Sequence, residues 1–143
     1  MRGLSFMALT PNLIKAYEEA DYVILAQPEF VLKIGEPSAR LDALLDAEGA
    51  PTAAFVTPAN PRSKPRPRAE NAAALEKLDQ IIAGAGYPWR AAEGREPDGS
   101  WREPGRLVIG IWREHAETLG RLFRQNAIVW LERGKAPELV ILV

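Results

Sequence analysis

The chain has 143 residues, of which 47% are hydrophobic and 26% are charged. These values are typical of one folded globular domain and exclude a disordered chain. The 18 basic and 19 acidic residues nearly cancel, so no global field attracts the protein to nucleic acid or to an anionic membrane. Cysteine is absent and His115 is the single histidine, which excludes disulfides, thiolate zinc sites and multi-histidine metal sites.

The N-terminal residues 1–9 contain no apolar run long enough for a secretory signal or for a membrane span. We therefore expect a soluble, cytoplasmic protein that does not contact a membrane. The same residues carry no clear signal for a helix or a strand, so we expect them to be irregular, and Met7 is an alternative start to Met1.

The spacing of apolar residues predicts four helices. Their expected ranges are about 10–20, 38–49, 69 to 84 or 86, and 114–125. Thr10 and Pro11 suit the cap and the first position of the first helix. Ser38 suits the cap of the second, and Gly49 its end.

Runs of β-branched and aromatic residues predict six strands. They are residues 22–25, 30–34, 52–56, 107–112, 128–131 and 138–143. We expect the first two to pair, the fourth to be central, and the last two to form a C-terminal hairpin. A strand, a short helix and a strand over residues 30–56 predict a right-handed parallel crossover. The sequence thus predicts one α+β domain over residues 1–143, with a mixed sheet of six or seven strands covered by four helices.

Proline and arginine dominate residues 58–68, which we predict to form an exposed loop. Arg62, Lys64, Arg66 and Arg68 place four cations between a strand end and a helix start. Anions often bind at such a place, because helix N-terminal amides and guanidinium groups favour phosphate. This anion-contact loop would bind a phosphate-bearing small molecule or nucleic acid; the alternative is a solvated basic loop.

Several short sequence segments, spread over most of the chain, resemble those of a bacterial family called domain of unknown function 3293. They are residues 30–35, residues 53–57 with Asn60-Pro61 and Ser63, Glu70-Asn71, residues 98–101 with Glu103, and residues 125–130. The resemblance implies no activity, because the family has none assigned. It does imply that eight polar positions belong to the family pattern: Asn60, Ser63, Glu70, Asn71, Trp101, Glu103, Gln125 and Asn126.

The chain departs from this family pattern in three places near the polar positions. Arg66-Pro67 replaces a leucine-serine pair, Ala74 replaces an arginine, and Arg124 replaces a glycine. The serine that could have formed a capping box with Glu70 is therefore missing. If the family site depends on that arginine or that glycine, its function in this chain is altered or lost.

Each polar position has a structural interpretation beside the functional one. Glu70 would compensate the helix dipole, Gln125 and Asn126 would satisfy backbone groups at a helix end, and Trp101 would be packed. In the functional interpretation these side chains face a ligand, with Trp101 as a stacking platform and Glu103 as an acceptor.

The sequence leaves three classes of function open. The first is a non-catalytic binding or regulatory domain whose polar site holds a phosphate-bearing or nucleic-acid ligand. The second is a small enzyme that uses Glu70 or Glu103 as general base, with no metal or cofactor expected, since P-loop and dinucleotide motifs are absent. The third is an interaction module that pairs through residues 138–143, if they form a sheet edge. A carboxylate of strongly raised pKa in a cleft would favour the enzyme.

Overall fold

The computed structural model describes residues 9–143, in which four α-helices and seven strands lie. The helices are α1 (Pro11–Glu19), α2 (Ala39–Glu48), α3 (Arg68–Ala85) and α4 (Arg113–Leu122). The strands are β1 (Asp21–Ile24), β2 (Phe30–Leu32), β3 (Thr52–Val56), β4 (Trp89–Arg95), β5 (Arg102–Ile109), β6 (Ala127–Glu132) and β7 (Glu138–Ile141). The predicted irregular stretch of residues 1–9 and the alternative start at Met7 lie outside the described residues, apart from Leu9.

Side-chain caps start the first two helices, as the sequence predicts. The Thr10 hydroxyl accepts a hydrogen bond from the Leu13 amide at 3.1 Å, and the Ser38 hydroxyl accepts one from the Leu41 amide at 3.1 Å. These bonds satisfy amides that have no partner within the helix. At the C-terminal end of α2, Gly49 adopts φ +65°, a conformation that glycine reaches at little cost.

The strands form one sheet in the order β2-β1-β4-β5-β3-β6-β7, and every pair of neighbours is antiparallel. The α+β class, a sheet of six or seven strands, the central β5 and the C-terminal hairpin are confirmed. The prediction of a mixed sheet built on a parallel crossover is corrected, because β1, β4 and β5 lie between β2 and β3. The chain through α2 passes over three strands instead of joining neighbours.

Residues 88–104, which contain none of the six predicted strands, form β4 and the start of β5, with a turn at Asp98-Gly99 between them. Charged, alanine and glycine residues give β4 a weak intrinsic tendency to form a strand. Pairing with β1 on one side and β5 on the other overrides that tendency.

Alternate residues of the central strands pack into two cores, one on each face of the sheet. Phe55 belongs to the core that includes Leu41 of α2. Val56 belongs to the core that includes Leu78 of α3 and Leu119 of α4. The sheet is therefore covered on both faces, by α2 on one and by α3 and α4 on the other.

Three chain segments that carry predicted site residues meet at one end of this sheet. Both β5 and β6 run antiparallel to β3 and begin where it ends, since Val56 pairs with Arg106 and Phe55 with Val129. The segments 57–66, 101–105 and 123–126 are therefore neighbours. None of the described helices combines the length and the apolar character needed to cross a lipid bilayer.

Candidate functional site

Asn60 connects the loop after β3 to β5 and to α3. Its Nδ2 donates to Glu103 Oε2 at 2.8 Å, and its Oδ1 accepts from Asn71 Nδ2 at 2.8 Å and from the Arg66 amide at 3.2 Å. Asn71 Oδ1 accepts in return from the Asn60 amide at 3.0 Å and from Arg66 Nε at 2.6 Å. The loop predicted to be exposed is instead held in place, and Pro58 in it is buried.

Backbone strain is concentrated beside this network. The non-glycine residues of positive φ within residues 9–143 are Asn60 at 45°, Arg62 at 55°, Ser63 at 61° and Arg124 at 55°. Such conformations cost of the order of 1–3 kcal/mol each and persist where the surroundings enforce them. The Arg62 amide donates to the Arg124 carbonyl at 2.9 Å. Residues 60–63, here called the strained turn, are therefore tied to the end of α4.

A second cluster joins the strained turn to α1. The hydroxyl groups of Tyr17 and Ser63 share a hydrogen bond. Asn126 Nδ2 donates to Tyr17 Oη at 3.1 Å and to Ser63 Oγ at 3.3 Å. Asn126 Oδ1 is buried and has no hydrogen-bond partner among residues 9–143. Unpaired buried acceptors are uncommon in folded proteins, so this oxygen is an exception within the cluster.

Gln125 lines the inner cavity and also binds backbone groups around it. Its side-chain Nε2 donates to the backbone carbonyl groups of Ala59, at 3.0 Å, and Phe123, at 3.2 Å. The backbone carbonyl of Gln125 accepts a hydrogen bond from Arg62 Nη1 at 2.9 Å. The side chain is buried and satisfies backbone groups at the junction of α4 and β6, which was one of the two interpretations of this position.

Two adjoining spaces lie between α1 and the turn that connects β4 to β5. The inner cavity, about 30 Å³ in volume, is lined by Tyr22, Phe55 and Glu103, and also by Tyr17 and Trp101. It is large enough for one water molecule or a group of similar size. The outer cleft has a volume of about 300 Å³ and is lined by the residues that follow: Leu13, Ala16, Tyr17, Ser63, Glu96, Ser100 and Trp101. Tyr17 and Trp101 line both spaces.

Glu103 is the ionisable group most changed by this environment. Its side chain is buried, with only 5% of the residue exposed. Burial raises its pKa from 4.5 to about 7, although the hydrogen bond from Asn60 acts in the opposite direction. Asn60 donates a hydrogen bond to Oε2 of Glu103, and no described residue donates one to Oε1. Glu103 therefore presents a free oxygen to the inner cavity and exchanges a proton near neutral pH.

The ionisable side chains that line the two spaces are acidic, apart from the tyrosines. Glu103 lines the inner cavity and Glu96 lines the outer cleft, whereas no lysine or arginine of the described residues lines either one. Burial also raises the pKa of Tyr22 above its ordinary value, so that its hydroxyl stays neutral. The lining therefore favours neutral or cationic ligands over anions.

The structure brings all but one of the eight polar positions to this end of the sheet. The exception is Glu70, which is exposed in the first turn of α3 and forms no side-chain hydrogen bond with a described residue. Asn71 beside it faces Asn60 instead. Within residues 9–143, no group of three histidine, aspartate or glutamate side chains could hold a metal ion.

The four cations of the anion-contact loop separate into two pairs. Arg62 and Arg66 are half-buried and donate to backbone carbonyl groups, Arg66 to that of Pro58 at 2.9 Å. Lys64 and Arg68 are exposed. The four cations lie outside the linings of the inner cavity and the outer cleft.

Two tyrosines of the site were missed by the sequence analysis. Tyr17 fell within the first predicted helix and Tyr22 within the first predicted strand, and neither was considered as a site residue. Tyr22 donates a hydrogen bond to the Tyr17 carbonyl at 2.6 Å. The sequence did contain a signal for both residues. A tyrosine that packs against the core needs a polar partner for its hydroxyl group, so each tyrosine predicts a polar contact nearby.

These features define an α+β domain with a polar site at one end of an antiparallel sheet. Residues 56–128 match the model of a family described as a protein of unknown function, DUF3293. The match spans half of the chain, and the chain belongs to this family. No curated protein and no solved structure gives a significant match. Asn60, Glu103 and Asn126 lie within the matched residues, whereas Tyr17 and Tyr22 precede them.

Proposed function

We propose that this domain binds a small molecule in the outer cleft and that a hydrogen-bond donor of the ligand enters the inner cavity to meet Glu103. The observation that carries the proposal is the free Oε1 of a buried carboxylate that lines the cavity, while Asn60 holds the other oxygen. Oε1 has no hydrogen-bond donor among the described residues, and a donor on the ligand would pair with it in a largely desolvated cavity, where such a bond is strong.

The lining indicates the chemistry of the ligand. Two carboxylates and no cation favour a neutral or positively charged molecule. Trp101 lines both spaces and offers a flat apolar surface for a planar or apolar part of that molecule. The inner cavity, at about 30 Å³, matches one amino or amide group. A phosphate-bearing or nucleic-acid ligand, the expectation from the sequence, is disfavoured in these two spaces by their charge.

Acid–base catalysis by Glu103 is the second candidate function. A pKa of about 7 suits a group that takes and returns a proton at neutral pH. The carboxylate also lies in a cavity beside Tyr17 and Trp101, where a substrate would be held. Glu70, the other candidate base, is exposed in α3 and lines neither space, so the enzyme proposal rests on Glu103 alone.

Pairing with a partner through the last strand has weaker support. The strand β7 does lie at the edge of the sheet, as that proposal requires. It spans only Glu138–Ile141, and the Glu138 carboxylate is engaged by the Arg113 guanidinium at 3.1 Å. A short edge that carries a charged residue resists strand addition.

Ligand-observed NMR with a library of small amines, amides and amidines tests the binding proposal. We expect hits that bind the natural chain and lose about tenfold or more of their affinity in Trp101→Ala and in Glu103→Gln. In Glu103→Gln, the amide oxygen accepts from Asn60 and the amide nitrogen faces the cavity, so a donor replaces the acceptor.

Trp112→Ala is the matched control, because Trp112 is 70% exposed and lies outside both spaces. Hits that bind all variants equally would contradict the proposal. A hit that binds Glu103→Gln but is chemically converted only by the natural chain would favour catalysis instead.

A further inference from the structure

A second feature beside the strained turn is a group of cations without carboxylate partners. Residues 9–143 contain 17 lysines and arginines, which is the 18 of the chain without Arg2, and ten of them form ion pairs within 4.0 Å. Of the other seven, Arg40 stacks over Phe30. The remaining six lie in the loop before α3, in α3 itself or directly after α4: Arg62, Lys64, Arg66, Arg68, Lys77 and Arg124.

Three of these six cations line one cavity, here called the basic cleft. It has a volume of about 340 Å³, and its lining consists of these residues: Pro61, Arg66, Ala74, Lys77, Leu122, Phe123 and Arg124. No aspartate or glutamate of the described residues lines it. Leu122, 55% exposed, and Phe123 give it an apolar side. Of the 14 other lysines and arginines in residues 9–143, ten are paired with a neighbouring acid, whereas none of the three in this cleft is, so the cleft concentrates positive charge.

Two of the guanidinium groups in or beside the cleft are oriented before any ligand arrives. Arg66 donates from Nε to Asn71 and from Nη2 to the Pro58 carbonyl, which leaves its Nη1 free of described partners. Arg62 donates from Nη1 to the Gln125 carbonyl. Its amide also bonds to the Arg124 carbonyl, which helps to hold the backbone of Arg124 at φ 55°. Such preorganisation lowers the entropic cost of binding.

We propose that the basic cleft binds the phosphate group of a small phosphorylated molecule. Arg66, Lys77 and Arg124 contact the phosphate, and Leu122 and Phe123 contact an apolar part of the same molecule. Guanidinium and ammonium groups form charge-assisted hydrogen bonds with phosphate oxygens. A dianion also removes the mutual repulsion of three cations.

A small molecule fits the cleft better than a nucleic acid does. Single-stranded nucleic acids bind where exposed aromatic side chains stack on the bases. Phe123, the aromatic residue of the cleft, is only 8% exposed. Trp112, the most exposed tryptophan, lies at the opposite end of α4. The cleft is also separate from the proposed small-molecule site, since its three cations line neither the inner cavity nor the outer cleft.

Titration of the full chain with inorganic pyrophosphate, followed by ¹H–¹⁵N NMR at constant ionic strength, tests this proposal. We expect saturable shifts at the amides of residues 61–66 and 122–125 and at the side-chain Nε groups of Arg66 and Arg124. The double variant Lys77→Gln/Arg124→Gln should bind about tenfold more weakly or worse. Neither side chain forms a hydrogen bond or ion pair with a described residue, so the variant should fold normally.

The matched control is Arg121→Gln/Lys135→Gln, which removes the same charge from residues that are paired with Glu117 and Glu132. This control should bind pyrophosphate as the natural chain does. Equal weakening in both double variants, or shifts no larger than those caused by sodium chloride, would overturn the proposal. A single-stranded DNA of about 12 nucleotides that binds far more tightly than pyrophosphate, and loses affinity in Lys77→Gln/Arg124→Gln, would replace the small molecule with a nucleic acid.

Discussion

Replacement of Glu103 by glutamine should change how the stability of the protein depends on pH. The folded chain holds the Glu103 proton up to a pKa of about 7, whereas the ordinary value is 4.5. Between these values the folded state binds more protons than the unfolded state does. The stability from this carboxyl is therefore fully present below pH 4.5 and is lost as pH rises through about 7. At 1.36 kcal/mol per pH unit, the whole effect is about 3 kcal/mol.

Urea unfolding followed by tryptophan fluorescence, at intervals from pH 4.5 to 8.5, measures this effect. The other ionisable groups are common to both proteins, so the difference between natural chain and Glu103→Gln isolates Glu103. We expect the free energy of unfolding of the natural chain to fall by about 3 kcal/mol relative to the variant over this range. Parallel pH profiles would refute the buried, protonated carboxyl and with it the acid–base candidate.

Four further substitutions test the packing of the fold and the strain near the site. Gly105→Ala should lower the free energy of unfolding by about 1–3 kcal/mol, because the new methyl carbon would lie 2.6 Å from the Val56 carbonyl oxygen; Gly84→Ala, in open space on α3, should raise it by about 1 kcal/mol. Asn71→Ala should cost about 2 kcal/mol, since two donors lose their acceptor. Arg124→Gly should stabilise the chain by roughly 1 kcal/mol by relieving φ 55°. Thermal and urea unfolding check all four, and a stable Gly105→Ala or a destabilised Arg124→Gly would contradict the geometry.

Local signals in the sequence were sufficient for most of the helices and for the hairpin. Thr10 and Ser38 form the caps that their position predicted. The strand order was beyond such signals, because β4 has a weak sequence pattern and is stabilised by its two neighbours. Without β4 in place, β2 and β3 looked adjacent, and the parallel crossover followed from that error.

Only part of the polar site could be predicted, because local sequence signals do not show which side chains meet in the folded chain. Successive residues of a helix point in different directions, so Glu70 and Asn71 could not both face the loop after β3, and the sequence did not indicate which one would. Tyr17 comes from a helix more than 40 residues away from Ser63. Only the folded chain shows that the two hydroxyl groups meet.

The strained turn gives the two proposed sites a common support. Asn60 and Ser63 extend from it toward the inner cavity and the outer cleft, and Arg62 binds the segment that carries Arg124 into the basic cleft. A turn of positive φ persists only while such bonds hold it. We expect a ligand that strengthens the bonds on one side of the turn to stabilise the geometry required on the other side as well. Two ligands linked in this way would raise each other's affinity by the same factor.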